Sequence, residues 1–113
     1  RHYAPRTVTQ VLDRCTIDQT ISDTKKTYAL MLLSPMSSSG DHHVTVMPPT
    51  PVGYGEILYT TLRALDDHGA DRLLVERPPN TAGWGAIHDR LQRASFPVST
   101  IRSAGDGMLG GSA

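Results

Sequence analysis

A chain of 113 residues is long enough for one domain with a modest hydrophobic core. Eleven basic side chains balance eleven acidic ones, and this excludes the excess of Lys and Arg on which direct nucleic-acid binding depends. The single Cys15 excludes an internal disulfide, and no signal-peptide pattern and no apolar run of ~20 residues is present, so we expect a cytoplasmic protein that does not enter membranes.

The first half of the chain predicts three strands. Residues 7–13 alternate loosely between apolar and polar side chains, as in an edge strand, and residues 16–22 predict a short helical turn capped by Thr16. The run 27–34 is continuously apolar, which is typical of a strand buried on both faces of a parallel sheet. Residues 44–47 predict a further short strand after a polar loop.

The second half alternates helices and strands. Residues 54–69 predict a helix, residues 72–76 a buried strand and residues 82–95 a second helix. Apolar side chains repeat at helical spacing and predict the buried faces of both helices: Ile57, Leu58, Leu62 and Leu65 in the first, and Trp84, Ile87, Leu91 and Ala94 in the second. A last short strand over 96–101 and a Gly-rich disordered tail over 103–113 complete the prediction.

This order of elements predicts an α/β fold, a small three-layer Rossmann-like domain with a mostly parallel sheet. We expect the domain to span residues 7–102, after a linker over residues 1–6. Ligands of open α/β sheets bind outside the carboxyl ends of the strands, so a ligand site is expected in the loops there. The candidate ligand-loop residues are Ser37, Ser38, Tyr54, Glu76 and Asn80.

Each motif in these loops also has a structural interpretation. Residues 53–58 follow a strand and open a helix, as a dinucleotide-binding loop does, but the third glycine of that pattern is missing and a plain helix entry is favoured. The three serines Ser37, Ser38 and Ser39 beside Gly40 suit a bound anion, but a flexible polar loop is the commoner meaning of this pattern and is favoured. Glu76 suits either catalysis or a structural role beside Arg77, and we favour the structural role.

The residues alone show no catalytic constellation. No nucleophile stands beside a base, and no paired carboxylates or metal cluster are recognisable. Adjacent His42 and His43 on a strand would point to opposite faces, which is poor geometry for one metal even with His2 or Cys15 nearby. Cys15 has no neighbouring base and is interpreted as inert. We therefore expect no catalytic residue, no metal and no cofactor for this chain by itself.

Two stretches carry motifs in a characteristic order. Residues 1–5 read Arg-His-Tyr-Ala-Pro, and residues 57–94 contain a Leu-Tyr-x-x-Leu-Arg-x-Leu-Asp helix, a Leu-Val-Glu strand, a Pro-rich turn and an Asp-Arg-Leu-x-Arg-Ala helix end. These motifs resemble the linker and the C-terminal domain of threonylcarbamoyladenylate synthases of the Sua/YciO/YrdC family. The middle of the chain, residues 7–43, matches only in having a strand near residues 28–34.

The resemblance implies a role next to a catalytic domain. In the family, an N-terminal YrdC-like domain uses ATP (with Mg), L-threonine and bicarbonate to make threonylcarbamoyl-adenylate and diphosphate, for the t6A modification of tRNA. By this resemblance Arg1, His2, Tyr3 and Pro5 form the linker that closes over that catalytic site. We expect this chain to be the accessory domain, not catalytic alone, with the catalytic domain cut away or encoded separately.

Two other functions stay open at this point. The chain could be a free-standing Rossmann-like module that binds a small molecule or nucleotide through the loops around Ser37, Tyr54 and Asn80. It could also be a small self-sufficient enzyme, which the lack of a catalytic constellation disfavours.

Overall fold

A computed structural model describes residues 3–22, 25–37 and 40–95, and all structural statements concern those residues. Four strands form one sheet in the order β1-β4-β2-β3, and every neighbouring pair is parallel. The strands are β1 (Thr9–Leu12), β2 (Tyr28–Leu32), β3 (His43–Val46) and β4 (Arg72–Glu76). The helices are α1 (Arg14–Ser22), α2 (Pro51–Asp66) and α3 (Gly85–Ala94). The predicted α/β class with a parallel sheet is confirmed.

The sheet separates two hydrophobic clusters, which makes three layers. Ala29 and Met31 of β2 pack in one cluster with the apolar faces of α2 and α3. Leu30 and Leu32 alternate with them and pack in the other cluster with Ile17 of α1. All five residues of β2 are buried because both faces of the sheet are covered, which explains the continuous apolar run in the sequence.

Helix α2 begins earlier than the sequence pattern predicted. The Thr50 side chain accepts a hydrogen bond from the backbone N–H of Gly53 at 3.2 Å, and Pro51 occupies the first helical position. Both are helix-start signals, so the predicted start at Tyr54 was three residues late. Ile57 was also wrongly assigned to the buried face, because the buried stripe is centred on Leu58 and the Ile57 side chain is 37% exposed.

The start of α1 and the position of Trp84 also differ from or refine the sequence predictions. Helix α1 begins at Arg14, where the Asp13 carbonyl accepts from the N–H of Ile17 at 3.0 Å, so Thr16 lies inside the helix and is not its cap. Trp84 immediately precedes α3 and is buried, as expected of a core residue. The predicted strand over 96–101 and the tail over 103–113 lie outside the described residues.

The parallel arrangement gives the sheet two different edges. At the amino edge, all four strands begin and the three helices end. At the carboxyl edge, the strands end and the helices begin. Helix α2 has 16 residues, so about 24 Å separates its two ends. In the described part of the chain, none of the helices has the length and apolar character needed to cross a membrane.

Candidate functional site

The N-terminal segment is held at the amino edge by Asp66, the last residue of α2. Oδ1 of Asp66 accepts hydrogen bonds from the backbone N–H of Thr7 at 2.9 Å and from its hydroxyl at 2.6 Å. Oδ2 accepts from the Tyr3 hydroxyl at 2.8 Å and from the backbone N–H of Arg6 at 3.1 Å. We call these four hydrogen bonds the Asp66 clamp.

The sequence of α2 explains why a carboxylate is buried there. Asp66 lies four residues after Leu62 and eight after Leu58, so it continues the apolar stripe toward the sheet. The residue is only 5% exposed. A carboxylate loses its hydration when it is buried, and the loss is tolerated only where hydrogen-bond donors replace the water. The N-terminal segment supplies those donors to both oxygens.

The clamp also shifts the pKa values of the Asp66 carboxyl and the Tyr3 phenol. Burial alone would raise the pKa of Asp66, but the hydrogen bonds from Thr7, Tyr3 and Arg6 outweigh it and lower the pKa from 3.8 to about 2. Burial raises the pKa of the Tyr3 phenol, and its hydrogen bond to Asp66 adds to this effect, while the charge of Arg63 opposes it. Near neutral pH the clamp therefore joins an ionised carboxylate to an intact phenol.

Tyr3 is fixed by its ring as well as by its hydroxyl. The Arg63 guanidinium lies over the ring at 5.1 Å from its centroid, within the range of a cation–π contact. The ring also packs against the hydrophobic cluster of α2 and α3. Arg63 precedes Asp66 by three residues, so the same last turn of α2 holds both ends of the Tyr3 side chain. The direction of the segment is therefore fixed as far as Tyr3.

At the carboxyl edge, Glu76 has the structural role favoured from the sequence, with a different partner. Its Oε1 accepts from the backbone N–H of Leu33 at 2.8 Å and from Nη1 of Arg14 at 3.3 Å. Arg77, the expected neighbour, instead pairs with Asp13 at 2.9 Å. Glu76 therefore ties the end of β4 to the end of β2 and to the start of α1.

Arg14 organises the loop that follows β2. Its Nη1 donates to both the carbonyl and the hydroxyl oxygen of Ser34, at 3.1 and 2.9 Å, and its Nη2 donates to the carbonyl of Pro35 at 3.1 Å. Its Nε donates to Asp18 one turn further along α1. One guanidinium thereby joins α1, the loop after β2 and the end of β4.

A cavity of about 570 Å³ opens between α1 and this loop. Its lining combines apolar side chains with hydrogen-bonding groups: Arg14, Asp18, Ile21, Ser22, Pro35, Met36, Ser37, Gly40 and His42. Nδ1 of His42 accepts a hydrogen bond from the backbone N–H of Tyr28 at 3.0 Å, so in a neutral ring the proton is on Nε2. The cavity therefore offers both hydrogen-bond donors and a carboxylate.

The candidate ligand-loop residues are not brought together in one place. Ser37 lines the cavity and Glu76 binds Arg14, but Tyr54 is buried in the core, edge-on to Trp84 with ring centroids 5.5 Å apart. Burial and the nearby charge of Glu76 raise the pKa of the Tyr54 phenol. Asn80 is exposed in the turn after β4. Tyr54 was placed on a surface loop because its helix was predicted to start too late.

The remaining predicted linker residues extend from the clamp. Pro5 is half-buried between Tyr3 and the hydrogen-bonded backbone of Arg6. Three candidate residues lie outside the described part of the chain: Arg1, His2 and Ser38. Of the two adjacent histidines, His43 stacks on His68 with ring centroids 3.7 Å apart, while His42 faces the cavity. Among the described residues, no group of three or more His, Cys, Asp or Glu side chains could hold a metal ion.

Sequence reasoning did not single out Asp66 or Arg14 as site residues. For Asp66 a signal was present, because a carboxylate on the apolar stripe of an amphipathic helix must find partners when that stripe is buried. For Arg14 the only acceptor nearby in the sequence is Asp18, and the acceptors that join it to other elements, at Ser34, Pro35 and Glu76, lie 20 or more residues away in the chain.

The fold and the clamp define a small parallel α/β domain that is entered through a fixed N-terminal segment. A family model described as "Threonylcarbamoyl-AMP synthase, C-terminal domain" matches residues 1–95, and the chain belongs to this family. The match covers the N-terminal segment and every described strand and helix, which confirms the resemblance carried by residues 1–5 and 57–94. No curated protein and no solved structure matches the chain significantly.

The clamp predicts different effects for substitutions at two adjacent aspartates. In Asp66→Asn, an amide N–H₂ replaces one acceptor oxygen and faces two donors of the clamp, so the free energy of unfolding falls by about 2–4 kcal/mol. The exposed Asp67 is the control, because it takes no part in these hydrogen bonds, and Asp67→Asn changes this free energy by less than about 0.5 kcal/mol. Urea denaturation of both variants measures the difference, and equal effects would contradict the clamp.

The lowered pKa of Asp66 also predicts acid sensitivity. Its pKa falls from 3.8 in the unfolded chain to about 2 in the fold, so the carboxylate stabilises the fold at pH values above 3.8. This contribution of about 2 kcal/mol disappears as the pH falls from about 5 to about 1. In urea denaturation across this range, the stability difference between the natural chain and Asp66→Asn narrows by that amount. A pH-independent difference would mean that Asp66 is not held in its ionised form by the fold.

Proposed function

We propose that the chain is the accessory domain of a threonylcarbamoyl-AMP synthase and that its N-terminal segment closes over the catalytic site of a partner domain. That partner binds ATP with Mg, L-threonine and bicarbonate, and the product is the donor for the t6A modification of tRNA. The observation that supports this role is the Asp66 clamp, which fixes the segment to the domain at Tyr3, Arg6 and Thr7.

A lid needs a firm attachment to the body that moves it. A loose segment would sample many positions, whereas one held by four hydrogen bonds and a cation–π contact moves together with its domain. Closing such a segment over a catalytic site excludes water. A threonylcarbamoyl-adenylate is a mixed anhydride that water hydrolyses, so its synthesis benefits from this exclusion. Arg1 and His2 precede the clamp in the sequence and lie within the family match, and we propose them as contacts to the catalytic site.

The assay is pyrophosphate release from ATP that depends on both threonine and bicarbonate. It compares the chain alone, a catalytic domain alone, and the catalytic domain joined ahead of Arg1. We expect no release from the chain alone. We expect Asp66→Asn in the joined protein to change the rate by about tenfold or more, because small displacements of a closing element are costly for catalysis.

The adjacent Asp67→Asn is the matched control, and its rate should stay within about twofold of the joined natural protein. A joined Asp66→Asn protein with an unchanged rate would show that the clamped segment is not a lid. Release by the chain alone would mean that it contains an active site of its own.

A second candidate function is the binding of a small molecule or nucleotide by the chain itself. The cavity of about 570 Å³ favours it, since ligand pockets commonly have volumes of about 300–1,000 Å³. A thermal-shift measurement on the chain alone with millimolar ATP separates the two functions. Stabilisation that is lost in Ser22→Glu, which adds a negative charge to the cavity lining, would support ligand binding. The lid function alone predicts no shift.

A further inference from the structure

We propose that the cavity between α1 and the loop after β2 binds an uncharged heterocycle of the nucleoside class and gives no binding energy to phosphate groups. This inference rests on the second candidate function, because it names the class of ligand for the same cavity. It does not depend on the lid function, since Tyr3 packs on the other face of the sheet.

The first argument is the apolar part of the cavity lining. Ile21 of α1 and Met36 of the loop both line the cavity and pack against the hydrophobic cluster that contains Ile17. Pro35 adds a third apolar side chain. The thioether of a methionine makes favourable contacts with aromatic rings, and the volume of about 570 Å³ is that of a pocket for a small organic molecule. The lining therefore favours a ligand with an aromatic ring.

The second argument is that the arginine of the cavity is already engaged. A guanidinium has five N–H donors, two of them on each Nη. In Arg14, Nε donates to Asp18, Nη1 donates to Ser34 and to Glu76, and Nη2 donates to the carbonyl of Pro35. These bonds leave one N–H, on Nη2. Arginines that recognise phosphate commonly do so through two parallel N–H bonds, and Arg14 could form these only by giving up a bond that holds the loop.

The third argument is the charge around this arginine. Arg14 is the only Lys or Arg among the described residues that line the cavity. Two carboxylates pair with it, those of Asp18 and Glu76, each at 3.3 Å. The group of three therefore carries one net negative charge, which repels a phosphate. An uncharged ligand is not repelled.

The fourth argument is the set of hydrogen-bonding groups in the lining. Nδ1 of His42 accepts from the backbone N–H of Tyr28, so Nε2 of the neutral ring is a donor. The Ser22 hydroxyl donates to the carbonyl of Gln19 at 3.0 Å, which leaves its oxygen as an acceptor. Oδ2 of Asp18 takes no part in the pair with Arg14 and is a second acceptor. A nucleobase edge also carries both donors and acceptors, so the two sets can match.

An organic cation is the main alternative ligand, because the group around Arg14 is negative. The observations favour the heterocycle, since Asp18 already has a cationic partner in Arg14 and the apolar lining suits a ring better than a hydrated ammonium group. Binding of a simple diamine is therefore an outcome of the test that would overturn the inference.

The test titrates the chain with four compounds and follows its backbone amide signals by NMR. The compounds are adenosine, ATP, inorganic triphosphate and 1,4-diaminobutane. We expect adenosine to shift the signals of Ser22, Ser37 and His42 and to bind about fivefold more tightly than ATP, because the triphosphate of ATP is repelled by the local negative charge. Triphosphate and the diamine should shift none of the three signals.

Three results would overturn the inference. The first is that adenosine leaves these signals unchanged. The second is that ATP binds more tightly than adenosine, or that triphosphate alone shifts the signals, either of which would show that the cavity recognises phosphate. The third is binding of the diamine at these residues.

Two matched aspartate variants test the role of charge. Asp18 and Asp13 are both exposed, with 55% and 70% of their side-chain surface accessible, and each pairs with one arginine. Only Asp18 lines the cavity. Asp18→Asn removes the net negative charge, so the preference for adenosine over ATP should fall from about fivefold to within about twofold. Asp13→Asn should leave the preference at about fivefold, and equal effects of the two variants would contradict the charge argument. Because the readout is a ratio of two affinities, a small loss of stability does not alter it.

Failure of this inference differs from failure of the proposed functions. If ATP stabilises the chain and this effect is lost in Ser22→Glu, but triphosphate binds and adenosine does not, the cavity is a ligand site and the ligand class is wrong. If none of the four compounds binds, the inference fails together with nucleotide binding by the cavity. The lid function stands or falls on pyrophosphate release by the joined Asp66→Asn protein in either case.

Discussion

The two carboxylate oxygens of Asp66 accept four hydrogen bonds from three residues of the N-terminal segment. The geometry of the chain entry depends on this one group. Strand β1 follows immediately and pairs with only one described neighbour, β4, so its position is set by that pairing and by the segment ahead of it. The carboxylate holds the segment in place, and the segment supplies the hydrogen-bond donors of the carboxylate. Without those donors the buried, unpaired charge would be strongly destabilising.

The sheet separates this clamp from the cavity, because Tyr3 packs with the hydrophobic cluster of α2 and α3 on one face and the cavity-lining Ile21 and Met36 pack with the cluster on the other face. Arg14 and Glu76 stabilise the carboxyl edge by joining α1, β2 and β4, while Asp66 and Arg63 stabilise the amino edge by holding Tyr3. A lid attached on one face of the sheet and a ligand bound on the other would be separate sites. Their effects can therefore be measured separately, by variants that each change only one face.

The fold was predictable wherever a local pattern determines it. Strand β4 matches its prediction of residues 72–76, because its three central residues are fully enclosed and the sequence shows an uninterrupted apolar run. The start of α2 was predicted late, because Thr50 and Pro51 were assigned to a stop signal for the preceding strand and not to a helix start. The clamp was harder to predict from the sequence than the fold, because it joins positions about 60 residues apart. Neither end shows its partner in the sequence.

The proposed function depends most on the clamp, and amide hydrogen exchange of the backbone at Arg6 and Thr7 tests the clamp most directly. Both N–H groups donate to Asp66, so we expect them to exchange slowly in the natural chain and to lose this protection in Asp66→Asn, while Asp67→Asn keeps it. If Arg6 and Thr7 exchange in the natural chain as fast as an unstructured peptide, the segment is not held and its proposed function as a lid is contradicted.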